Sequence, residues 1–188
     1  FYEIDCADGL GFIIEAGADK STAFDCVTTS TPDAGGKVGA LACKLPGNNA
    51  NADLGKLVAK AGTSCTVEKA RGIGQSPTNS FFEVLCQGGN GYIVQAGAPP
   101  VADKPVQVTT CLAYDEAGGN ISCTLTDKAA RLAVIDRYAS ESGKNCAVKD
   151  RRYILSTKSG DSYFEASCQD GKGYVFKVNA AGALAQTL

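Results

Sequence analysis

The chain has 188 residues, of which 44% are hydrophobic and 20% are charged, and this composition is typical of a globular protein. Its net charge is −2 with lysines and arginines spread along the sequence, which argues against nucleic-acid binding, and no apolar run reaches the roughly 18 residues of a transmembrane helix. Histidine is absent, which removes the commonest general base and the commonest metal ligand. We therefore expect neither enzymatic activity nor a bound cofactor or metal.

Methionine is absent as well, so we expect processing at the N-terminus, as removal of a signal peptide would produce. The nine cysteines are widely spaced, and no two are close enough to form a Cys-x-x-Cys pair. This spacing argues against zinc-ribbon and thioredoxin sites and favours a disulfide framework. Because disulfides persist only in oxidising compartments, we expect an extracytoplasmic protein that is secreted, periplasmic or at the cell surface.

The first element in the chain is a strand that leads into a tight turn, FYEIDCADGLGFII at residues 1–14. The same pattern, aromatic-aromatic-Glu-x-x-Cys-x-x-Gly-x-Gly-aromatic, returns at 81–94 and again at 163–176. The cysteines of these segments are 80 and 82 residues apart. Self-similarity at a fixed period predicts tandem repeats of one supersecondary unit.

The next elements are helices that precede the second and third of these segments. The stretch at 52–62 aligns with part of 126–143, and both place apolar residues three and four positions apart, which predicts one buried helical face. Asn51 or Asp53 and, in the later helix, Thr126 are the expected N-caps. Strands CTVEKARGIG and CAVKDRRYIL follow, each with a turn before the aromatic-Glu segment.

These elements predict an α+β fold made of tandem repeats. Each repeat is expected to be a three-stranded antiparallel β-meander packed with one short helix and joined by disulfides. The predicted boundaries are 1–64 for a first repeat that lacks its leading strand, 65–145 for the second repeat and 146–188 for a partial third.

Two disulfide schemes fit the cysteine spacing. In the first scheme Cys6 is unpaired or bonds to another molecule, and the pairs are Cys26–Cys43, Cys65–Cys86, Cys111–Cys123 and Cys146–Cys168. In the second scheme Cys168 is left over, and the pairs are Cys6–Cys26, Cys43–Cys65, Cys86–Cys111 and Cys123–Cys146. We favour the first, because adjacent strands bring Cys65 to Cys86 and Cys146 to Cys168 whatever the loops do.

A Glu–Arg pair also recurs at matching positions. Glu83 and Glu165 occupy the same place in their segments as Glu3, and Arg71 and Arg152 each lie six residues after a cysteine. The pairs Arg71–Glu83 and Arg152–Glu165 are predicted to be cross-strand contacts on the solvated face of each meander. A constellation that recurs with every repeat is not typical of a catalytic site.

The AGTSC stretch at 61–65, the RGIG stretch at 71–74 and the three aromatic-Glu-Cys-Gly-Gly segments resemble a known kind of sequence. They are similar to Cys-containing tandem repeats in uncharacterised exported proteins of Gram-negative bacteria, notably alphaproteobacteria. The resemblance spans nearly the whole chain. It implies export and repetition, and it supplies no activity.

The chain opens on what should be the second strand of a repeat and stops soon after a third. One interpretation is that it is a fragment of a longer array, and the other is that a neighbouring subunit supplies the missing strand. The functional hypothesis is an extracytoplasmic structural or assembly protein, such as a fibre or envelope-layer subunit or an accessory subunit of an envelope complex. Its partners would be proteins, including copies of itself arranged head to tail. The alternative is a binding module for glycan, peptidoglycan or a protein.

Overall fold

The computed structural model describes residues 1–99, 104–117 and 119–188, and it contains three antiparallel sheets in chain order. The first sheet has the strands β1 (Tyr2–Ile4), β2 (Phe12–Ala16) and β3 (Ser21–Asp25). The second sheet has β4 (Val67–Gln75), β5 (Asn79–Cys86), β6 (Gly91–Gly97) and β7 (Gln107–Thr110). The third sheet has β8 (Val148–Ser156), β9 (Ser162–Cys168), β10 (Gly173–Val178) and β11 (Leu184–Thr187).

Short helices occupy the connections between the sheets. Two lie between the first and second sheets, α1 (Cys26–Ser30) and α2 (Ala50–Lys60). Three lie between the second and third sheets, α3 (Cys111–Ala117), α4 (Lys128–Leu132) and α5 (Val134–Glu141). Among the described residues, no helix combines the length and the apolarity that crossing a bilayer requires.

The three aromatic-Glu segments occupy corresponding strands, β1, β5 and β9. The glutamate of each faces a residue of the following strand in the same register, which pairs Glu3 with Ile13, Glu83 with Ile93 and Glu165 with Val175. The β5 and β9 strands are also flanked on their other side by β4 and β8. The α+β class is thereby confirmed, with antiparallel sheets throughout the described chain.

The sheets are larger than the three-stranded meander expected from the sequence. The second and third sheets each have a fourth strand, β7 and β11, on the edge opposite β4 and β8. The first sheet has three strands, but these correspond to β5, β6 and β7 and not to a complete meander with its leading strand. The extra strands have only four residues each, and such short runs give little alternation by which to recognise them.

The helices also begin and end at other residues than predicted. Asn49 caps α2 by accepting a hydrogen bond from Ala52 N at 3.0 Å, and Asp127 caps α4 by accepting one from Ala130 N at 2.7 Å. The long helix expected over 126–143 is divided at Ala133, whose N–H bonds two carbonyls at 3.0 and 3.2 Å in a tightened turn.

The core beneath the second sheet joins that sheet to α1 and α2. Leu54 and Val58 of α2 are fully buried against Phe82 and Val84 of β5. Complete burial of one such side chain contributes about 1.5–3 kcal/mol. At Gly72 of β4 the approach of α1 is so close that a Cβ would lie 2.4 Å from Thr28 Cα, so only glycine fits there.

The core beneath the third sheet is built in the same way from α3, α4 and α5. Ile135 and Tyr138 of α5 pack on Phe164 and Phe176, and the Tyr138 and Phe164 rings lie 5.5 Å apart. The two cores group the elements differently from the predicted boundaries of 1–64, 65–145 and 146–188. In particular, α2 lies within the first of those ranges but packs on the second sheet.

Four disulfides connect these elements, and they are the pairs of the first scheme. Cys65–Cys86 and Cys146–Cys168 tie the start of a leading strand to the end of the next strand, with Cα atoms 5.3 and 5.1 Å apart. Two further bonds, Cys26–Cys43 and Cys111–Cys123, close the loops that follow α1 and α3. Cys6 forms no disulfide within the described chain and is partly exposed.

Candidate functional site

The candidate site is built around the buried Glu83 carboxylate on β5. Arg71 lies opposite Glu83 in the β4–β5 register and donates from Nε to Glu83 Oε2 at 2.6 Å. The Glu83 side chain is only 1% exposed, so water does not solvate this charge. A buried carboxylate requires several hydrogen-bond donors, and the arginine supplies one of them.

The remaining donors come from a loop some forty residues later in the sequence. Thr124 N donates to both Glu83 oxygens at 2.9 and 2.8 Å, and Leu125 N donates to Oε1 at 2.8 Å. The loop also accepts a bond in return, because Arg71 Nη2 donates to Ser122 O at 2.8 Å. We call this cluster of Glu83, Arg71, Thr124 and Leu125 the second junction, because it joins the second sheet to the elements of the third.

Two features hold the loop in place to make these contacts. The Cys111–Cys123 disulfide anchors the loop to the start of α3, and Cys123 lies immediately before Thr124. Arg131 of α4 lies beneath it with 5% exposure and forms a bidentate pair with Asp115 at 2.8 and 2.6 Å. Arg131 also donates to the Thr126 carbonyl, so the loop is attached from both ends.

The same contact occurs between the first sheet and the next disulfide-closed loop. Lys44 N donates to both Glu3 oxygens at 2.8 and 2.9 Å, and Leu45 N donates to Oε1 at 2.8 Å. Asn48 Nδ2 adds a bond to Glu3 Oε1 at 2.7 Å. We call Glu3, Lys44, Leu45 and Asn48 the first junction. In both junctions the backbone donors are the first and second residues after the second cysteine of the loop disulfide.

The hydrogen bonds of the first junction favour ionised Glu3. Burial alone would raise the pKa of Glu3, but the backbone N–H groups of Leu45 and Lys44 and the Asn48 amide outweigh it and hold that pKa below its usual value. The charged form is therefore the one that the loop recognises, and protonation in acid weakens the contact.

A second contact between the first and second sheets involves Asp25, which ends β3 and caps α1. Asp25 is fully buried, accepts from Thr28 N at 2.7 Å and accepts from Ser80 Oγ of β5 at 3.1 Å. Burial raises the pKa of Asp25, although the bonds from Thr28 and Ser80 oppose that shift. Gln75 of β4 completes the contact by donating to Ala23 O at 2.9 Å.

The third glutamate, Glu165, is not covered by any loop of the described residues. Arg152 Nε donates to Glu165 Oε2 at 2.5 Å, in the same cross-strand register as Arg71 and Glu83. The two side chains are 70% and 41% exposed, however, and they border a depression of about 150 Å³. We call this pair the open site, since no backbone N–H among the described residues donates to Glu165.

The predicted solvated position therefore holds for the Arg152–Glu165 pair only. Glu83, expected on the surface of its meander, lies buried because the Cys111–Cys123 loop covers it. The four residues that cover the two glutamates, Lys44, Leu45, Thr124 and Leu125, were not expected to take part. They act through backbone N–H groups, which every residue except proline carries, so only their position after the cysteine distinguishes them.

Each junction glutamate also lies beside two sulfur atoms. Glu3 groups with Cys26 and Cys43, and Glu83 groups with Cys111 and Cys123, each within 4.8 Å. Such a group binds a metal ion only when the sulfurs are thiolates, and here both are joined in a disulfide. The arrangement as it stands offers one carboxylate per cluster, and its chemistry is the recognition of backbone N–H groups.

One cationic side chain adds a further contact near each junction. Lys56 Nζ of α2 donates to Ala7 O at 3.3 Å, and Arg137 Nη1 of α5 reaches Gly88 O at 3.5 Å. Both acceptors lie in the turn that follows the aromatic-Glu strand. Lys56 and Arg137 therefore hold equivalent helices against equivalent turns.

Comparison with known proteins finds no matching family model, no matching curated protein and no matching solved structure.

Proposed function

We propose that this chain is an extracytoplasmic structural or assembly protein made of tandem units, without catalytic activity. Each unit begins at a cysteine-bearing helix, continues through a disulfide-closed loop and a second helical stretch, and ends in a four-stranded sheet. On this basis 26–110 and 111–188 are units, and the first sheet belongs to a unit of the same kind. The two separate cores support this division, since one centres on α2 and the second sheet, with Leu10 and Phe12 packed against it, and the other on α5 and the third sheet.

The observation that carries the proposal is the repetition of the junction. The glutamate of one sheet receives the first two N–H groups that follow the loop disulfide of the next unit, once at Glu3 and once at Glu83. Because donor and acceptor lie on different faces of a unit, the contact is head to tail. Such a contact can be repeated without limit, as in filaments and layers.

The open site supports docking of a further protein. Arg152 and Glu165 have the geometry of Arg71 and Glu83, but their side chains are left in solvent beside the depression. A disulfide-closed loop that presents two consecutive N–H groups would bury this pair as the second junction is buried. We propose protein partners of this type, including copies of the chain itself.

The compartment follows from the sulfur chemistry. Four disulfides in 188 residues point to folding in an oxidising environment. The resemblance to exported tandem-repeat proteins of Gram-negative bacteria is consistent with this. A fibre, an envelope layer and an accessory subunit of an envelope complex are the assemblies that we consider.

The test is self-association of the native chain, measured by sedimentation velocity over a range of protein concentrations. We expect species larger than the 19.3 kDa monomer and a weakening of association by roughly tenfold or more in E165K. The matched control is E116K, which makes the same charge change at another exposed glutamate that lies outside the open site.

A chain that is monomeric at every concentration, or an E165K variant that associates like the wild type, would overturn the proposed assembly through this site. Retention of such a monomer on a polysaccharide column would instead favour a binding module for glycan or peptidoglycan.

A further inference from the structure

The outer edge of β1 is unlike the corresponding edges of β5 and β9. β1 pairs with β2 and with no second strand in the described chain, whereas β5 has β4 and β9 has β8 on that side. Unpaired edges present a row of backbone donors and acceptors to any approaching strand. The corresponding edges of β5 and β9 are paired with β4 and β8. These two strands therefore indicate what kind of strand would pair with β1.

The filled edges share two side-chain contacts. The added strand places an arginine opposite the glutamate, as in Arg71 with Glu83. Six residues before that arginine it carries a cysteine that bonds the cysteine at the end of the glutamate strand, as Cys65 does with Cys86. The third sheet repeats both contacts with β8 and the Cys146–Cys168 bond.

On β1 the receiving halves of both contacts are present. Glu3 and Cys6 are three residues apart, which is also the spacing of Glu83 and Cys86. Cys6 is partly exposed and forms no disulfide. Glu3 accepts bonds from two backbone N–H groups and one amide, and no guanidinium of the described chain reaches it.

The face of the first sheet lacks cover as well. Tyr2 and Ile4 are 67% and 41% exposed, whereas their counterparts Phe82 and Val84 are fully buried. Leu54 and Val58 of α2, the helix that directly precedes the leading strand β4, pack in the same core as Phe82 and Val84. A segment that supplied a strand to β1 together with its preceding helix would bury Tyr2 and Ile4.

We propose that the outer edge of β1 binds a helix–strand segment that carries a cysteine and, six residues later, an arginine. The strand pairs antiparallel with β1, its arginine reaches Glu3, its helix covers Tyr2 and Ile4, and its cysteine bonds to Cys6. We base the sequence of this partner on the proposed tandem organisation, in which 49–75 is the segment that serves the second sheet.

The covalent step is a thiol–disulfide exchange. The Cys6 thiolate attacks the sulfur of the partner cysteine, which enters as a mixed disulfide with glutathione, and a glutathione thiolate leaves. One disulfide breaks and one forms, so no further oxidant is required. Strand pairing raises the rate by holding the two sulfurs together.

The experiment uses the full chain and a synthetic peptide of residues 49–75 whose single cysteine is capped with glutathione. We expect an adduct at Cys6, located by peptide mapping, that forms roughly tenfold or more faster than with the same peptide carrying R71E, because the Arg–Glu contact is lost. Hydrogen exchange at the β1 amides should slow in the adduct. C6S should give no adduct.

Equal rates for the two peptides, or an adduct without protection of β1, would show that Cys6 reacts merely as an exposed thiol. Either result would overturn the inference. A native protein in which Cys6 is bonded to a cysteine that has no arginine six residues after it would also overturn the inference. Association through Glu165 is read out separately by the E165K variant, so failure here leaves that result unaffected.

Discussion

At the scale of single residues, Glu83 and Glu165 differ in whether a loop shields the carboxylate from water. Both carboxylates face an arginine in the same register, but only Glu83 also receives two backbone N–H groups and loses contact with water. Burial makes a charge dependent on its partners, since an unpaired buried ion costs several kcal/mol. An exposed pair such as Arg152–Glu165 contributes little.

We therefore expect E83Q to lower the free energy of unfolding by about 3 kcal/mol, because Arg71 then lacks its counter-charge in a buried site. The matched variant E165Q should change the free energy of unfolding by less than about 1 kcal/mol. Urea denaturation with the disulfides intact measures both. Losses of equal size would show that Glu83 is not the buried anchor described here.

Asp25 should make stability depend on pH in a defined direction. Because burial raises its pKa, the folded protein holds a proton on Asp25 more tightly than the unfolded chain does. Ionised Asp25 therefore costs stability, and that cost is absent below its unfolded pKa and grows as the pH rises through its folded pKa.

Asparagine at this position can still cap α1 and still bond Ser80, but it carries no charge. We expect the stability of D25N relative to the wild type to be greater at about pH 7 than at about pH 3. D25A, which removes the cap, should lose about 1–2 kcal/mol. A D25N advantage that is the same at both pH values would contradict the assigned cost of ionisation.

At the scale of elements, the disulfide-closed loops are the parts that connect one sheet to the next. The Cys111–Cys123 bond spans 12 residues, and constraining a loop of that length is worth about 3 kcal/mol in the chain-entropy view. Its more specific role is to hold Thr124 and Leu125 over Glu83.

The double variant C111S/C123S should therefore lower stability by about 3 kcal/mol and release this loop. We expect the Thr124 and Leu125 amides to lose hydrogen-exchange protection, while Lys44 and Leu45 at the first junction keep theirs and serve as an internal control. Loss of protection at both junctions alike would indicate general destabilisation and not the release of one loop.

Some of these strands and helices could be predicted from the sequence, and others could not. The three aromatic-Glu segments could be aligned from their letters, and the structure places them on corresponding strands because side-chain alternation fixes which residues face the core. The division of the later helix at Ala133 has no proline or glycine to mark it. The short strands β7 and β11 carry too few residues to show a period.

Only the cross-strand part of the candidate site could be predicted from the sequence. Cross-strand placement of Arg71 and Glu83 follows from matching positions before and after a hairpin. The cover over Glu83 could not be predicted, because it consists of backbone N–H groups from a loop distant in sequence. Burial of an ionisable group is a tertiary property, and sequence alone gave no means of distinguishing Glu83 from Glu165.

At the scale of the whole molecule, the same contact joins the first sheet to the second and the second to the third. In the tandem organisation that we propose, the two faces of a unit are therefore different, one presenting a glutamate and the other a loop. The open site at Glu165 and the free edge of β1 are the two places where this series of contacts is not completed within the described chain. We propose that assembly proceeds through these two places.

Non-reducing peptide mapping of the native protein most directly tests the central claim, that disulfides within each proposed unit hold it together and close the loops that cover Glu3 and Glu83. We expect the four bonds Cys26–Cys43, Cys65–Cys86, Cys111–Cys123 and Cys146–Cys168, with Cys6 outside all of them. A map that joined Cys6 to Cys26, Cys43 to Cys65, Cys86 to Cys111 and Cys123 to Cys146 would contradict the claim, because the loops that cover Glu3 and Glu83 would then lack the bonds that close them.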